Sequence, residues 1–186
     1  MPAIRHLLER WIPGEPARVR AALDDTWTGG AKDAFPSDHI RPWRRPAAAA
    51  DASRMTPGTR FGHGPFAFVV DHADEHGLRV RITTPGYDGW HAFVLRADTR
   101  DGIAGTHISH ELVANMPWAQ WAAWTAVTGD LHDWAVEATL LRLEQIATTG
   151  RAEPSPTPPW QLRAFERAHR AHRALIRRQA APSPGR

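Results

Sequence analysis

Cysteine is absent from the 186-residue sequence, which removes disulfides, thiolate zinc sites and cysteine nucleophiles at once. Lysine is reduced to Lys32, and the other basic residues are arginine. A serine-nucleophile motif, a phosphate loop and a dinucleotide fingerprint are all missing. No apolar run reaches the roughly 18 residues of a membrane span, and the N-terminal MPAIRHLLERWIPGEP has no signal-peptide core. A cytoplasmic protein without a transmembrane segment is therefore expected. Histidine is plentiful, yet no HxH or HExxH spacing occurs, and His169 and His172 stand in an arginine-rich stretch. No metal and no cofactor are expected on that basis.

What remains is apolar and aromatic. Hydrophobic residues make up 42% of the chain, with nine Trp and eleven His, enough for one domain with a real core. Charge is unevenly spread: residues 151–186 hold eight Arg against two Glu, a net +6, which leaves −3 for residues 1–150. The expected organisation is a folded unit over 1–150 and, over 151–186, a proline-rich linker with a basic tail. The stretch Trp160–Gln179 has helical spacing and six arginines between Arg163 and Arg178. Weak contact with an anionic surface is open to it, whereas no nucleic-acid motif accompanies it.

The strongest pattern lies between Asp88 and Ala147. From Leu131, the residues Leu131, Trp134, Ala135, Val136, Ala138, Leu140, Leu141, Leu143 and Ile146 cover well over half of a helix wound at about 100° per residue. Asp133, Glu137 and Glu144 fall on the narrow polar edge, which is expected to face water. Before it, Trp118, Trp121 and Trp124 share one side of a helical segment, with an interruption expected at Gly129-Asp130.

Four strand-like runs precede these helices: Phe66–His72, Leu78–Thr83, Trp90–Ala97 and Gly105–Val113, joined by short turns that demand antiparallel hairpins. Their apolar parity puts Phe66, Phe68, Val70, Leu78, Val80, Ile82, Phe93, Leu95, Ile108 and Leu112 on one face. Phe68 is expected to face Val80, Val80 to face Phe93, and Phe93 to face Ile108. His91 and His110 share that face, and this register sets them opposite each other. Arg79, Arg81, Ser109 and Glu111 point to solvent. Ile4–Ile12 is a further strand, and Glu15-Pro16 opens a helix through Leu23. From Asp25 to Pro57 the pattern dissolves into an irregular excursion. It has a short helix expected near Gly30–Phe35, and Trp43 with Arg41, Arg44 and Arg45 on a loop.

This order, together with Glu15-Pro16-Ala17-Arg18-Val19, Gly89-Trp90-His91-Ala92-Phe93, Thr106-His107-Ile108-Ser109-His110-Glu111 and the Leu131 to Glu144 helix, resembles the START-like (SRPBCC) superfamily over roughly residues 4–148. That superfamily includes polyketide cyclases, lipid-transfer domains and birch-pollen-allergen-like proteins. The resemblance implies an α+β helix-grip fold, in which a curved antiparallel β-sheet wraps a long C-terminal helix and encloses an apolar cavity. The basic extension stands outside that pattern. Phe66, Phe68, Val80, His91, Phe93, Ile108, His110, Trp121, Trp124, His132 and Trp134 would then line the cavity. A small hydrophobic or aromatic molecule, lipid- or polyketide-like, is the expected partner. The alternative is a polyketide cyclase/dehydratase-like enzyme with His91 and His110 as acid and base. The oligomeric state is not legible in the sequence.

Overall fold

The computed structural model describes residues 1–28, 43–45, 54–63, 66–151, 160, 163 and 164. In chain order the elements are β1 (Ala3–Ile12), α1 (Pro16–Thr28), β2 (Trp43–Arg45), β3 (Arg60–His63), β4 (Phe66–Asp74), β5 (Gly77–Ile82), β6 (Asp88–Arg100) and β7 (Ile103–Asn115). Then come α2 (Trp118–Ala123), a π-helical turn (Trp124–Thr128) and α3 (Gly129–Thr149). The strands form one seven-stranded antiparallel sheet in the order β1-β7-β6-β5-β4-β3-β2. A meander is thus closed by the first strand returning to pair with the last. The curved sheet packs against the long C-terminal helix, which is the α+β architecture expected above.

The alternation of β1 explains its place. Ile4 and Ile12 are buried and Leu8 packs on the core, so Ile4, His6, Leu8, Arg10 and Ile12 line the inner face and pair with Ala114, Leu112, His110, Ile108 and Thr106 of β7. On β7, Ile108, Leu112 and Ala114 are each at most 2% exposed.

Three expectations need correction. First, the register along the meander is shifted by two residues: Val70 pairs with Val80, Val80 with His91, Phe93 with His110 and Leu95 with Ile108. For β6 and β7 the cause is their turn, where Arg100 pairs with Ile103 and the two-residue loop Asp101-Gly102 has φ of 52° and 78°. Positive φ at both central positions is the Asp-Gly hairpin geometry that matches strand twist. A shift of two keeps parity, so the inner face survives while the cross-strand partners change.

Second, α1 runs to Thr28 instead of ending near Leu23, because Trp27 continues its buried stripe and rests on Phe61 and Phe93 with ring centroids 5.1 and 6.2 Å away. Third, β2 and β3 extend the sheet beyond the expected meander. Phe61 of β3 is fully buried and stacks on Phe68 at 5.3 Å, a contact that four residues of sequence do not announce. The helix expected near Gly30–Phe35, the side chains of Trp43, Arg44 and Arg45, and most of the tail lie outside the described residues; Trp160 is exposed.

Gly129-Asp130 does not break the helix. The N–H of Gly129 bonds the carbonyl of Trp124, the five-residue spacing of a π turn. A Cβ at Gly129 would lie 3.1 Å from the Trp124 carbonyl oxygen and 3.3 Å from its indole nitrogen. Glycine thus lets the indole lie close to the helix. At the other end, Gly150 closes α3 with φ of 76° and its N–H on the Ile146 carbonyl at 2.9 Å. Gly150→Ala is expected to lower unfolding free energy by about 1 kcal/mol through left-handed strain alone, read by urea denaturation. Among the described residues, no helix is long and apolar enough to cross a membrane.

Candidate functional site: a histidine cluster under the C-terminal helix

The inner face of the sheet carries polar groups at one place. His6 of β1, Leu112 of β7, His91 of β6 and Val80 of β5 form one cross-strand row; Leu8, His110 and Phe93 form the next. His91 and His110 are therefore diagonal neighbours rather than opposite each other, a spacing that long rings bridge easily. Their nitrogens meet, His91 Nδ1 to His110 Nε2, at 3.1 Å. His132 reaches down from the first turns of α3, with ring centroids 5.7 Å from His91 and 5.2 Å from His110. The nitrogens of these three side chains lie within 4.8 Å of one another.

Aromatic rings surround them. Phe93 lies 4.7 Å from His110, Phe68 5.4 Å from His91, and Trp124 5.1 Å from His132, centroid to centroid. The π turn is what sets Trp124 over His132, and π turns recur at functional sites. Trp121 is half-buried against the core, whereas Trp118, expected on the same side, is 70% exposed. Phe66 packs at the margin of the core, and Val80 and Ile108 are buried on the inner face. Trp134 is half-buried on α3, but two residues from His132 means a turn of about 200°, so it leaves from the opposite flank.

Electrostatics give His132 a defined state. Its Nδ1 is 3.4 Å from Asp133 Oδ1, and a carboxylate only accepts, so Nδ1 carries the proton. Nε2 is then a bare lone pair, and it is buried with no hydrogen-bond partner among the described residues. Burial pushes the imidazole below the usual histidine range, against the opposing hydrogen bond and charge of Asp133. Neutral His132 is the resting form near neutral pH.

Sequence reasoning missed two members of this neighbourhood. His6 Nδ1 lies 3.1 Å from the same Asp133 oxygen, and its ring is edge-on to His132 at 5.9 Å. Asp133 was expected to face water with Glu137 and Glu144. Glu137 is exposed, whereas Asp133 and Glu144 are half-buried against β1, with Glu144 Oε2 accepting from Arg10 Nε at 2.7 Å. The acidic edge of α3 is the seam that meets β1. The signal was present in β1, where His6 and Arg10 sit at the inner parity between Ile4, Leu8 and Ile12.

A pocket of about 260 Å³ lies elsewhere, between α1, the segment before β3 and the β4–β5 turn. Its wall includes a buried ion pair, Arg20 Nη1 to Asp24 Oδ1 at 2.7 Å. Arg20 also donates to the Asp74 carbonyl at 2.8 Å, and the Met55 N–H donates to Asp24 at 3.0 Å. These polar groups are bonded to one another. The arrangement ties α1 to the sheet.

No protein-family model and no curated protein sequence matches the chain. Solved structures do. A protein from Thermobifida fusca determined by NMR superposes with a TM-score of 0.53 at 16% identity, over 86% of this chain and 100% of its own. A protein from Nitrosospira multiformis gives 0.53 at 13% identity over 80% and 98%. The chain has an α+β helix-grip fold. CalU16 from Micromonospora echinospora matches this helix-grip chain at 0.50 and 15% identity, over 94% of it and 89% of CalU16. At such identities the likeness speaks for the fold alone, and the helix-grip frame hosts many functions.

Proposed function

We propose that this helix-grip protein binds a small, flat hydrophobic or aromatic molecule between the sheet and α3, oriented by the histidine cluster, with residues 1–150 as the binding unit and 151–186 as an appendage. The observation that carries this reading is His132 Nε2, a buried lone pair with no hydrogen-bond partner among the described residues, on a ring that packs against Trp124, while Phe68 and Phe93 pack against the neighbouring rings of His91 and His110. A buried acceptor of this kind costs free energy unless a ligand donor meets it. A phenol or enol would do so with its hydroxyl while its ring lies among the aromatic walls. Affinity would come from apolar area at about 25 cal/mol per Å², and orientation from the imidazoles.

Native mass spectrometry of the purified full-length protein, followed by extraction of what travels with it, tests this first. A phenolic or lipid-like compound at one-to-one stoichiometry is expected. Titration with anilinonaphthalene sulfonate and a panel of polyphenols should give one saturable site, weakened about tenfold in His132→Ala, the size of one hydrogen bond to a buried group. A protein that carries nothing and binds none of the panel at a single site would sink the reading.

The 3.1 Å contact between His91 Nδ1 and His110 Nε2 favours a second reading, in which the pair moves a proton during polyketide cyclisation or dehydration. Under it, His91→Ala lowers turnover by about a hundredfold or more while binding is kept; under the first reading no turnover exists to lose.

A further inference from the structure

We propose that His91, His110 and His132 form a site for a divalent transition metal of the zinc class, with three imidazoles as ligands and the fourth ligand supplied from outside the chain. The site goes beyond the small-molecule reading and does not depend on it; a metal there takes the His132 Nε2 lone pair that a phenol hydroxyl would otherwise meet, so the two exclude each other at that atom.

Three observations converge. Three ring nitrogens on three separate elements lie within 4.8 Å of one another. A tetrahedral zinc with bonds of about 2.0–2.1 Å separates neighbouring ligand nitrogens by about 3.3 Å. The His91 to His110 separation of 3.1 Å already stands near that value, so His132 needs only a modest rotation to complete the set.

The second observation is independent of the first. Asp133 holds His132 Nδ1, which leaves Nε2 as the buried nitrogen without a partner among the described residues. A carboxylate behind an imidazole fixes its tautomer and raises its basicity, the outer-shell arrangement that ligating histidines show. The third is the donor set. Three imidazoles with no carboxylate among them suit zinc, cobalt, nickel or copper and are a poor match for magnesium or calcium.

The second triplet, His6, His132 and Asp133, also brings its ligand atoms within 4.8 Å. It is half-buried throughout, and its carboxylate oxygen already contacts both histidines. That triplet is the support of the first. When metal enters, the ring that carries the proton between His91 Nδ1 and His110 Nε2 moves it to its other ring nitrogen, so both imidazoles stay neutral and both facing nitrogens donate lone pairs to the ion.

The test uses the full chain, dialysed against chelator and titrated with zinc chloride or cobalt chloride. One equivalent should bind, with the intense visible absorption of tetrahedral cobalt and X-ray absorption scattering from three imidazoles. His132→Gln should weaken zinc binding by about a hundredfold or more, and Asp133→Asn, which keeps all three ligands, by about ten- to hundredfold. His72→Gln and His76→Gln, exposed histidines near the β4–β5 turn, should leave it unchanged. If His132→Gln does not fold, Asp133→Asn and the absorption spectrum of the wild-type chain decide. The proposal is overturned if no stoichiometric binding occurs, if cobalt gives the pale octahedral spectrum, or if binding survives in Asp133→Asn and is lost with His72, His76 or the tail.

Discussion

Asp24→Ala is expected to cost about 3–5 kcal/mol of unfolding free energy, a large part of the 5–15 kcal/mol that a domain of this size has. Arg20 and Asp24 are 6% and 4% exposed, one helical turn apart on α1, with Nη1 and Oδ1 at 2.7 Å. Removing the carboxylate leaves a buried guanidinium with only the Asp74 carbonyl as a partner among the described residues and no counter-charge at Nη1, and it also deprives the Met55 N–H of its acceptor. The double replacement Arg20→Met with Asp24→Leu should recover most of the loss, because a desolvated ion pair contributes little net stability compared with apolar side chains of similar volume. Urea denaturation of both variants with unchanged m-values decides. A loss under 1 kcal/mol in Asp24→Ala would mean that water reaches the pair and that α1 is not anchored there.

Leu143→Ala should cost about 2–5 kcal/mol, set by the removed apolar volume and by how far the neighbours close the hole. Leu143 is fully buried in the middle of α3, facing the core that the sheet builds. Glu137→Ala, on the exposed flank of the same helix, should change stability by no more than about 0.5 kcal/mol. Because both replace a residue in the same helix with alanine, the difference between them reports burial rather than helix propensity. Equal effects, by chemical denaturation at one temperature, would show that α3 is not seated in the sheet.

The histidine site shows where local reading stops. His91 and His110 are legible as inner-face residues, since strand parity follows from alternation alone. Their contact is legible only if the register is known, and the register is set by the Asp101-Gly102 hairpin rather than by the hydrophobic pattern. An Asp-Gly pair between two alternating runs is a readable signal for that turn. His132 facing inward follows from the helical wheel. Its approach to the sheet at the height of His91 depends on the π turn before it, which adds one residue where glycine permits close packing of Trp124.

By itself, the sequence determined the types of β1, α1, the four strands from β4 to β7 and α3, the inner and outer faces of those strands, and the deep seating of α3. Those follow from periodicities of 2 and 3.6 residues, which any short window carries. Tertiary structure alone decided three things: that β1 closes the sheet against β7, that Asp133 and Glu144 pair with His6 and Arg10, and that histidines 22 and 41 residues from His132 along the chain meet it. The physical reason is range. A side chain's face is written in its neighbours along the chain, while its partner is set by how whole elements pack, and ligand-like groups gathered from β6, β7 and α3 leave no fixed spacing for a motif to display.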